Sequence, residues 1–228
     1  MCTFNTDKIY LTWRKDIDRP RHIIGILHKD NDNYSFMYSE ENVAKAASED
    51  DFTYYPAFNE IDKVYTDNVL EVFKRRLLNP HRRDYADFLN YWGAASYRDD
   101  EFALLGLTGA KLLTDNFEFI APHYEYPAIF NTDISWLNTK NQYVVESIRN
   151  MSMKDIEEKL SLQFEPNNAF DHKAVKVLFE DKTLGYIKSI HCENVYDALK
   201  EGSGVNIKIS NIIKNGTIKE VVLRVEIN

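Results

Sequence analysis

A short polar stretch in the last third of the chain carries the side chains best suited to recognising a ligand. Residues 162–177 read Leu-Gln-Phe-Glu-Pro-Asn-Asn-Ala-Phe-Asp-His-Lys-Ala-Val-Lys-Val. The Pro-Asn-Asn run from Pro166 to Asn168 is typical of a turn between two strands. Its amides can bond a phosphate or a base edge, Phe170 offers a ring on which a base can stack, and Asp171 can accept a hydrogen bond from a sugar hydroxyl. Structural roles fit equally well, since Asp171 could cap the turn and Phe170 could enter the core.

Signatures of catalysis are missing from the sequence. It contains no glycine-rich phosphate loop, no nucleophile elbow and no kinase Asp-Phe-Gly segment. The run His81-Arg-Arg-Asp84 lacks the downstream Asn of a kinase catalytic loop. His191-Cys192 supplies only two of the four ligands that structural zinc requires. We therefore expect a non-enzymatic protein without cofactor or metal.

The cysteines and the N-terminus bear on location. Cys2 and Cys192 are the two cysteines of the chain, too few for a disulfide framework. The first residues lack the basic and apolar regions of a signal peptide, and no apolar run approaches the ~18 residues of a membrane span. A cytoplasmic protein without a membrane partner is expected.

Charge is distributed unevenly along the chain. From residue 137 onward thirteen Lys and Arg balance thirteen Asp and Glu, so the first part carries the whole net charge of −8. This asymmetry favours two domains with different partners. One basic cluster stands out in the acidic part: Arg75, Arg76, His81, Arg82 and Arg83. It could contact phosphate, or it could form a solvated helix face paired with Asp84 and Asp87.

Alternating apolar residues at the start of the chain predict a three-stranded meander over 8–14, 22–27 and 34–38. Helical spacing then dominates, with predicted helices at 42–47 after Ser39, around 69–77, from Asn79-Pro80 to Trp92, and from Ser96 to Gly109. Residues 116–122 are expected to be extended.

After an aperiodic stretch at 121–140, the pattern becomes one of short strands. We predict strands at 142–148, 159–164, 174–179, 183–187, 205–209 and 220–227, with one helix at 191–201. Many short strands with one helix favour a small β-barrel. The predicted fold is α+β, with a mixed α/β module at 1–135 and a small OB-like barrel at 136–228.

The run 162–177, together with Leu184-Gly-Tyr-Ile-Lys188, resembles the signature of the HIRAN domain. That signature is a strand, then Glu/Asp-Pro-x-Asn-x-Tyr/Phe-Asp, then Ala-Ile/Val-x-Val, then Leu/Val-Gly-Tyr/His-Leu/Ile, and the resemblance covers about 90 residues. It implies a β-barrel that binds single-stranded DNA or 3′ DNA ends, within bacterial or phage DNA processing and repair.

The resemblance also implies which residues bind. The turn positions that line the 3′-end pocket in the family correspond here to Asn167, Asn168, Phe170 and Asp171. The family commonly carries Arg-Tyr-Tyr after its first strand, and we read the corresponding stretch as Arg149-Asn-Met151. Arg149 keeps a phosphate partner there, while the stacking tyrosines are missing. Lys188 supplies a basic residue after the Gly-Tyr-Ile segment, although the next position is a serine.

The first part of the chain is similar, through hydrophobic spacing, to the N-terminal subdomain of HipA-type toxin kinases. The segments that carry this similarity are Gly25-Ile-Leu27, Tyr34–Tyr38, Phe73–Leu78 and Phe102–Gly109. Two functions follow as hypotheses. The first is non-enzymatic binding of single-stranded DNA or 3′ ends. The alternative is a protein–protein adaptor, or an inhibitor or antitoxin-like subunit, acting through the acidic N-terminal domain.

Overall fold

The computed structural model describes residues 4–16, 19–122, 128–137, 142–169 and 171–228. Helices and strands occur in both halves, which confirms the α+β class. The chain divides into two compact units: Phe4–Pro122 forms the N-terminal unit, and the C-terminal unit begins at His123. This division falls earlier than the predicted boundary at residue 135. The reason is that the strand Ala128–Asp133 pairs with the last strand of the chain.

The N-terminal unit is built on one antiparallel sheet. Its strands are β1 (Lys8–Trp13), β2 (His22–Asp30), β3 (Asn33–Tyr38) and β4 (Phe117–Ile120), in the order β3-β2-β1-β4. The predicted meander is therefore present, and the extended segment near residue 117 completes the sheet beside β1.

Four short helices accompany this sheet: α1 (Glu40–Asp50), α2 (Val69–Phe73), α3 (Tyr85–Tyr91) and α4 (Glu101–Thr108), with 3₁₀ turns at Lys74–Arg76 and Ala95–Tyr97. The helix predicted from Asn79 begins only at Tyr85. The Asn79 side chain accepts the His81 N–H at 2.9 Å, and its carbonyl accepts the Arg82 N–H, so the chain turns there instead. Asp100 caps α4 by accepting the Ala103 N–H at 3.0 Å.

Aromatic side chains form the centre of the N-terminal core. Phe36 lies with its ring centroid 5.1 Å from that of Phe58 and 5.2 Å from that of Phe73. At the edge of this core Trp13 packs on Phe52, with centroids 4.9 Å apart. Such tilted and edge-on pairs are favoured by the ring quadrupole.

Arg76, one of the basic cluster singled out in the sequence, is buried within this unit. Its guanidinium makes two hydrogen bonds to Asp115, at 2.7 and 2.8 Å, and donates to the carbonyls of Ala110 and Phe117. The Arg76 guanidinium is therefore not available for the phosphate contact that was considered for this cluster. Arg82 is exposed and pairs with Asp84 at 2.8 Å, in keeping with a solvated face.

Two three-stranded antiparallel sheets are found among the described residues of the C-terminal unit. The strands are β5 (Ala128–Asp133), β6 (Leu160–Phe164), β7 (Val175–Phe179), β8 (Lys182–Tyr186), β9 (Val205–Asn215) and β10 (Thr217–Ile227). One sheet has the order β5-β10-β9 and the other β6-β7-β8. They meet where Ser135, just after β5, forms an isolated bridge with Tyr186. The described strands thus do not form the single closed barrel that was predicted.

The described part of this unit contains three helices: α5 (Gln142–Ile148), α6 (Met153–Glu157) and α7 (Ser189–Lys200). The predicted strand at 142–148 is wrong, since that segment is α5. Its buried residues are Val144, Val145 and Ile148, a spacing that places one helical stripe against the core. Both sheets share one apolar core with α7, to which Val177, Leu223 and Val195 contribute.

No helix among the described residues is long and apolar enough to cross a membrane. Within the same residues no group of three or more His, Cys, Asp or Glu side chains is arranged to hold a metal ion. Cys192 is a buried free thiol, and burial raises its pKa to about 12.

Candidate nucleic-acid interface

The predicted binding turn is organised around Glu165, which directly follows β6. One carboxylate oxygen of Glu165 accepts from Lys176 at 2.6 Å, and the other accepts from the Asn168 amide at 2.6 Å. Tyr186 lies close enough to this carboxylate to influence its pKa. The Lys176 ammonium is the largest influence on the pKa of Glu165 and lowers it, and Asn168 and Tyr186 act in the same direction against burial. Burial and the same carboxylate raise the pKa of Tyr186 to about 12.

Asn168 and Asp171 were predicted to contact a ligand. In the structure their side chains make hydrogen bonds that stabilise the turn itself. The Asn168 side-chain oxygen accepts the Asp171 N–H at 3.2 Å, and Asp171 Oδ1 accepts the Lys173 N–H at 2.8 Å. The Ala174 N–H donates to the Asp171 carbonyl at 3.0 Å. Asn168 is therefore largely committed to structure. Asp171 keeps its second oxygen, for which the described residues supply no hydrogen bond.

The other two turn residues differ in what the structure says of them. Asn167 is exposed, with its side chain at the surface of the turn. Phe170 lies outside the described residues. The turn thus presents one exposed amide and one partly committed carboxylate.

Lys188 does not reach the surface. It is 6% exposed and forms an ion pair with Asp133 at the end of β5. A buried lysine held by a buried carboxylate joins α7 to β5, because Lys188 immediately precedes that helix. Its predicted role as an open phosphate contact is not supported by this geometry.

Arg149 is exposed just after α5, and its carbonyl accepts a hydrogen bond from Lys214 Nζ at 2.7 Å. The described contacts thus connect it with the β9–β10 hairpin, whereas none joins it to the turn at 165–171. The structure does not bring Arg149 together with the other predicted residues.

A row of outward side chains lies next to the turn and was missed in the sequence. Strand register places Gln163 beside Lys176, Lys176 beside Tyr186, and Tyr186 beside Ser135. Residues directly opposite one another share a face of the sheet. Tyr186 lies within the Gly-Tyr-Ile segment quoted for the resemblance, so its position was available as a signal.

Trp136 follows this row and is 41% exposed. Its φ of 61° is unusual for a bulky residue and marks local backbone strain. Because β5 and not 142–148 is the first described strand of the unit, the segment after that strand contains Trp136 rather than Arg149. The misassigned strand concealed this aromatic residue.

Cations near the turn are paired within the protein. Lys176 is held by Glu165, and Lys173 Nζ contacts Glu193 at 2.6 Å and Asp197 at 3.3 Å. The surface around the turn is therefore polar and aromatic and lacks a strong positive field.

Comparison of the chain with protein-family models, with curated proteins and with solved structures gave no match. The resemblance to HIRAN domains therefore rests on the residues quoted from the sequence.

Proposed function

We propose that the C-terminal unit binds single-stranded nucleic acid and prefers DNA ends with a free 3′-hydroxyl. The observation that carries this proposal is the turn between β6 and β7. Hydrogen bonds of Glu165, Asn168 and Asp171 hold its described residues, while the Asn167 amide and Asp171 Oδ2 are proposed to contact the ligand. A site that is ordered before binding loses less entropy when the ligand arrives.

Stacking supplies the second part of the proposal. Trp136 is an exposed aromatic residue that follows the first described strand of the unit, and the family commonly has tyrosines after its first strand. A base stacked on such a ring gains about 1–3 kcal/mol. Trp136 adjoins Ser135, which pairs with Tyr186; Tyr186 is the strand neighbour of Lys176, and Lys176 is bonded to Glu165 at the base of the turn. A DNA end that contacts the turn is therefore linked to the Trp136 ring by this short series of contacts.

The ion pairs of the lysines near the turn determine how strongly binding should depend on salt. Since Lys173, Lys176 and Lys188 are engaged by carboxylates, few phosphates can be neutralised without breaking an ion pair. The affinity should therefore depend weakly on salt compared with that of proteins which bind many phosphates.

One titration tests the function. The full chain is added to labelled single-stranded oligonucleotides that carry a 3′-hydroxyl or a 3′-phosphate, at two salt concentrations. Tighter binding of the 3′-hydroxyl form, with a shallow salt dependence, supports the proposal. Equal binding to both ends, or no binding at low salt, contradicts it.

The adaptor alternative has one observation of its own. Phe36 and Tyr65 exchange backbone hydrogen bonds, so Met37 and Val64 are neighbours on the outer face. They are 49% and 55% exposed. An exposed apolar pair on an acidic unit is suited to a protein partner. If a partner of the full chain is isolated, Met37→Asp should release it, and salt should weaken the complex.

A further inference from the structure

The C-terminal unit contains a groove between the free edges of its two sheets. Its volume is about 360 Å³, and it is lined by Leu160 and Leu162 of β6, by Val205 and Ile207 of β9, and by Leu199 near the end of α7. β6 and β9 are edge strands, each paired on one side only among the described residues. Apolar side chains therefore line part of the groove, together with Ser161, Asn206 and the polar backbone of the two strand edges.

The edge of β6 offers backbone groups to the groove. The Glu180 N–H donates to the Lys159 carbonyl, and the Glu165 N–H donates to the Ala174 carbonyl. Because hydrogen-bonded pairs alternate along an antiparallel ladder, Leu160 and Leu162 direct their N–H and C=O groups away from β7. Their side chains point to the core side, opposite the buried Val177 and Phe179.

The edge of β9 has the same arrangement. The Asn228 N–H donates to the Gly204 carbonyl, so Val205, Ile207 and Ile209 direct their backbone groups away from β10. The Ile209 N–H is already satisfied, since it donates to the Glu157 carboxylate at 2.8 Å. Helix α6 thus closes one end of this edge and leaves Val205 and Ile207 open.

The charged side chains that line the groove are acidic. Glu157 and Glu158 of the α6 end line it, and no lysine or arginine of the described residues does. Glu158 is 66% exposed and has only a loose contact of 4.0 Å with Lys154, so its carboxylate remains open to a ligand. A ligand with a cationic group beside an apolar extended segment is complementary to this surface.

We propose that this groove binds an extended peptide segment of a partner protein, which adds a strand to β6. The occupant has apolar residues at alternate positions and a Lys or Arg next to them. A sheet edge supplies the main-chain hydrogen bonds, the apolar side chains of the groove contact every second side chain, and Glu158 takes the cation. β6 has five residues, so the segment pairs over about five residues.

The test uses the full chain and fluorescein-labelled hexapeptides of sequence Lys-Val-Thr-Val-Thr-Val. A second peptide has N-methyl groups on alternate amides facing the strand edge, and a third has Glu in place of Lys. Binding is followed by fluorescence anisotropy. We expect the first peptide to bind, N-methylation to weaken binding at least tenfold, and the Glu peptide to bind more weakly.

Two protein variants locate the site. Glu158→Lys should lower the affinity for the Lys peptide and raise the affinity for the Glu peptide, each by about two- to fivefold, as for exposed ion pairs. Asp181→Lys is the matched control, because Asp181 is exposed on the β7–β8 turn and should change neither affinity. Leu162→Pro removes an N–H that faces the groove without removing one that bonds β7, and should abolish peptide binding.

Several results would overturn the proposal. These are no binding of any peptide, equal binding of the N-methylated peptide, or insensitivity to Glu158→Lys. Concentration-dependent dimers without peptide binding would assign the edge to a second copy of the chain. Should Leu162→Pro fail to fold, the N-methylated peptide still decides. Oligonucleotide binding is read separately, since the groove is independent of that proposal.

Discussion

Ser135 and Tyr186 exchange two backbone hydrogen bonds, of 2.8 and 3.0 Å. This pair joins the segment after β5 to β8, and through it the two sheets of the C-terminal unit are connected along their backbones. Gly185 lies at the same crossing. A Cβ at Gly185 would overlap the Ile134 side chain and would lie 2.5 Å from the Ser135 carbonyl oxygen. The glycine of the Leu-Gly-Tyr-Ile segment is therefore required by close backbone approach.

Gly185→Ala should accordingly destabilise the protein by about 1–3 kcal/mol, the usual cost of overpacking. Urea unfolding of the full chain measures this loss. Gly204→Ala is the control, since the nearest atom to its Cβ would be 3.7 Å away. A Gly185→Ala protein as stable as the wild type would mean that the crossing tolerates a side chain.

Arg76→Lys should cost about 2–3 kcal/mol, although the charge is conserved. A lysine cannot reproduce the bonds to Asp115 and to two carbonyls, so buried acceptors lose their partners. Arg75→Lys, at an exposed position, should leave the unfolding midpoint unchanged. Equal stability of the two variants would contradict a structural role for Arg76.

The Glu165 cluster should make stability dependent on acid pH. Because the pKa of Glu165 is lowered in the folded state, its contribution is complete above the unfolded value near 4.5 and is lost as pH falls through the folded pKa. Glu165→Gln should therefore lower the melting temperature at pH 7, and the difference from wild type should shrink towards pH 3. Glu201→Gln, at an exposed helix end, serves as control. A difference that stays constant with pH would exclude this linkage.

Asp171→Asn separates the turn from the proposed ligand contact. The asparagine can still accept the Lys173 N–H, but it offers an N–H donor where the carboxylate would accept from a 3′-hydroxyl. The preference for 3′-hydroxyl over 3′-phosphate ends should fall by about fivefold, equivalent to one hydrogen bond of ~1 kcal/mol. Paired anisotropy titrations of both oligonucleotides measure it, and an unchanged preference would remove Asp171 from the contact.

Trp136→Ala should weaken binding to both kinds of end alike, by about 1–3 kcal/mol if a base stacks on the ring. Tyr143→Ala is the matched control, because Tyr143 is another exposed aromatic residue of the C-terminal unit, 72% exposed and beneath Lys182. If both substitutions have the same effect, the contact is not specific to the segment after β5.

The sequence predicted regular elements well where their periodicity was unambiguous. The meander β1–β3, α4 with its Gly109 end, and α7 follow from local patterns. Residues 142–148 were mistaken for a strand because Val144 and Val145 have high β propensity, whereas tertiary packing selects the helical stripe.

The candidate site was harder to predict from the sequence, because its contacts join residues that are far apart along the chain. Nothing local indicates that Lys188 pairs with Asp133, or that Tyr186 lies beside the Lys176 that bonds Glu165. Residue type suggested binding roles for Asn168 and Asp171, yet their spacing also suits a self-supporting turn. The alternative considered for Asp171, that it caps the turn, agrees with the hydrogen bond that its carboxylate accepts from the Lys173 N–H.

Separate placement of the three tryptophans gives each part of the molecule its own optical reporter. Trp13 packs on the N-terminal aromatic core, Trp92 belongs to a small cluster around Tyr85 and Leu89, and Trp136 is the single tryptophan of the C-terminal unit. Excitation of a chain with phenylalanine at positions 13 and 92 would yield emission from Trp136 alone. That emission responds to solvent polarity and to quenching by a stacked nucleobase, so the protein carries an intrinsic probe at the surface where a ligand is proposed to bind.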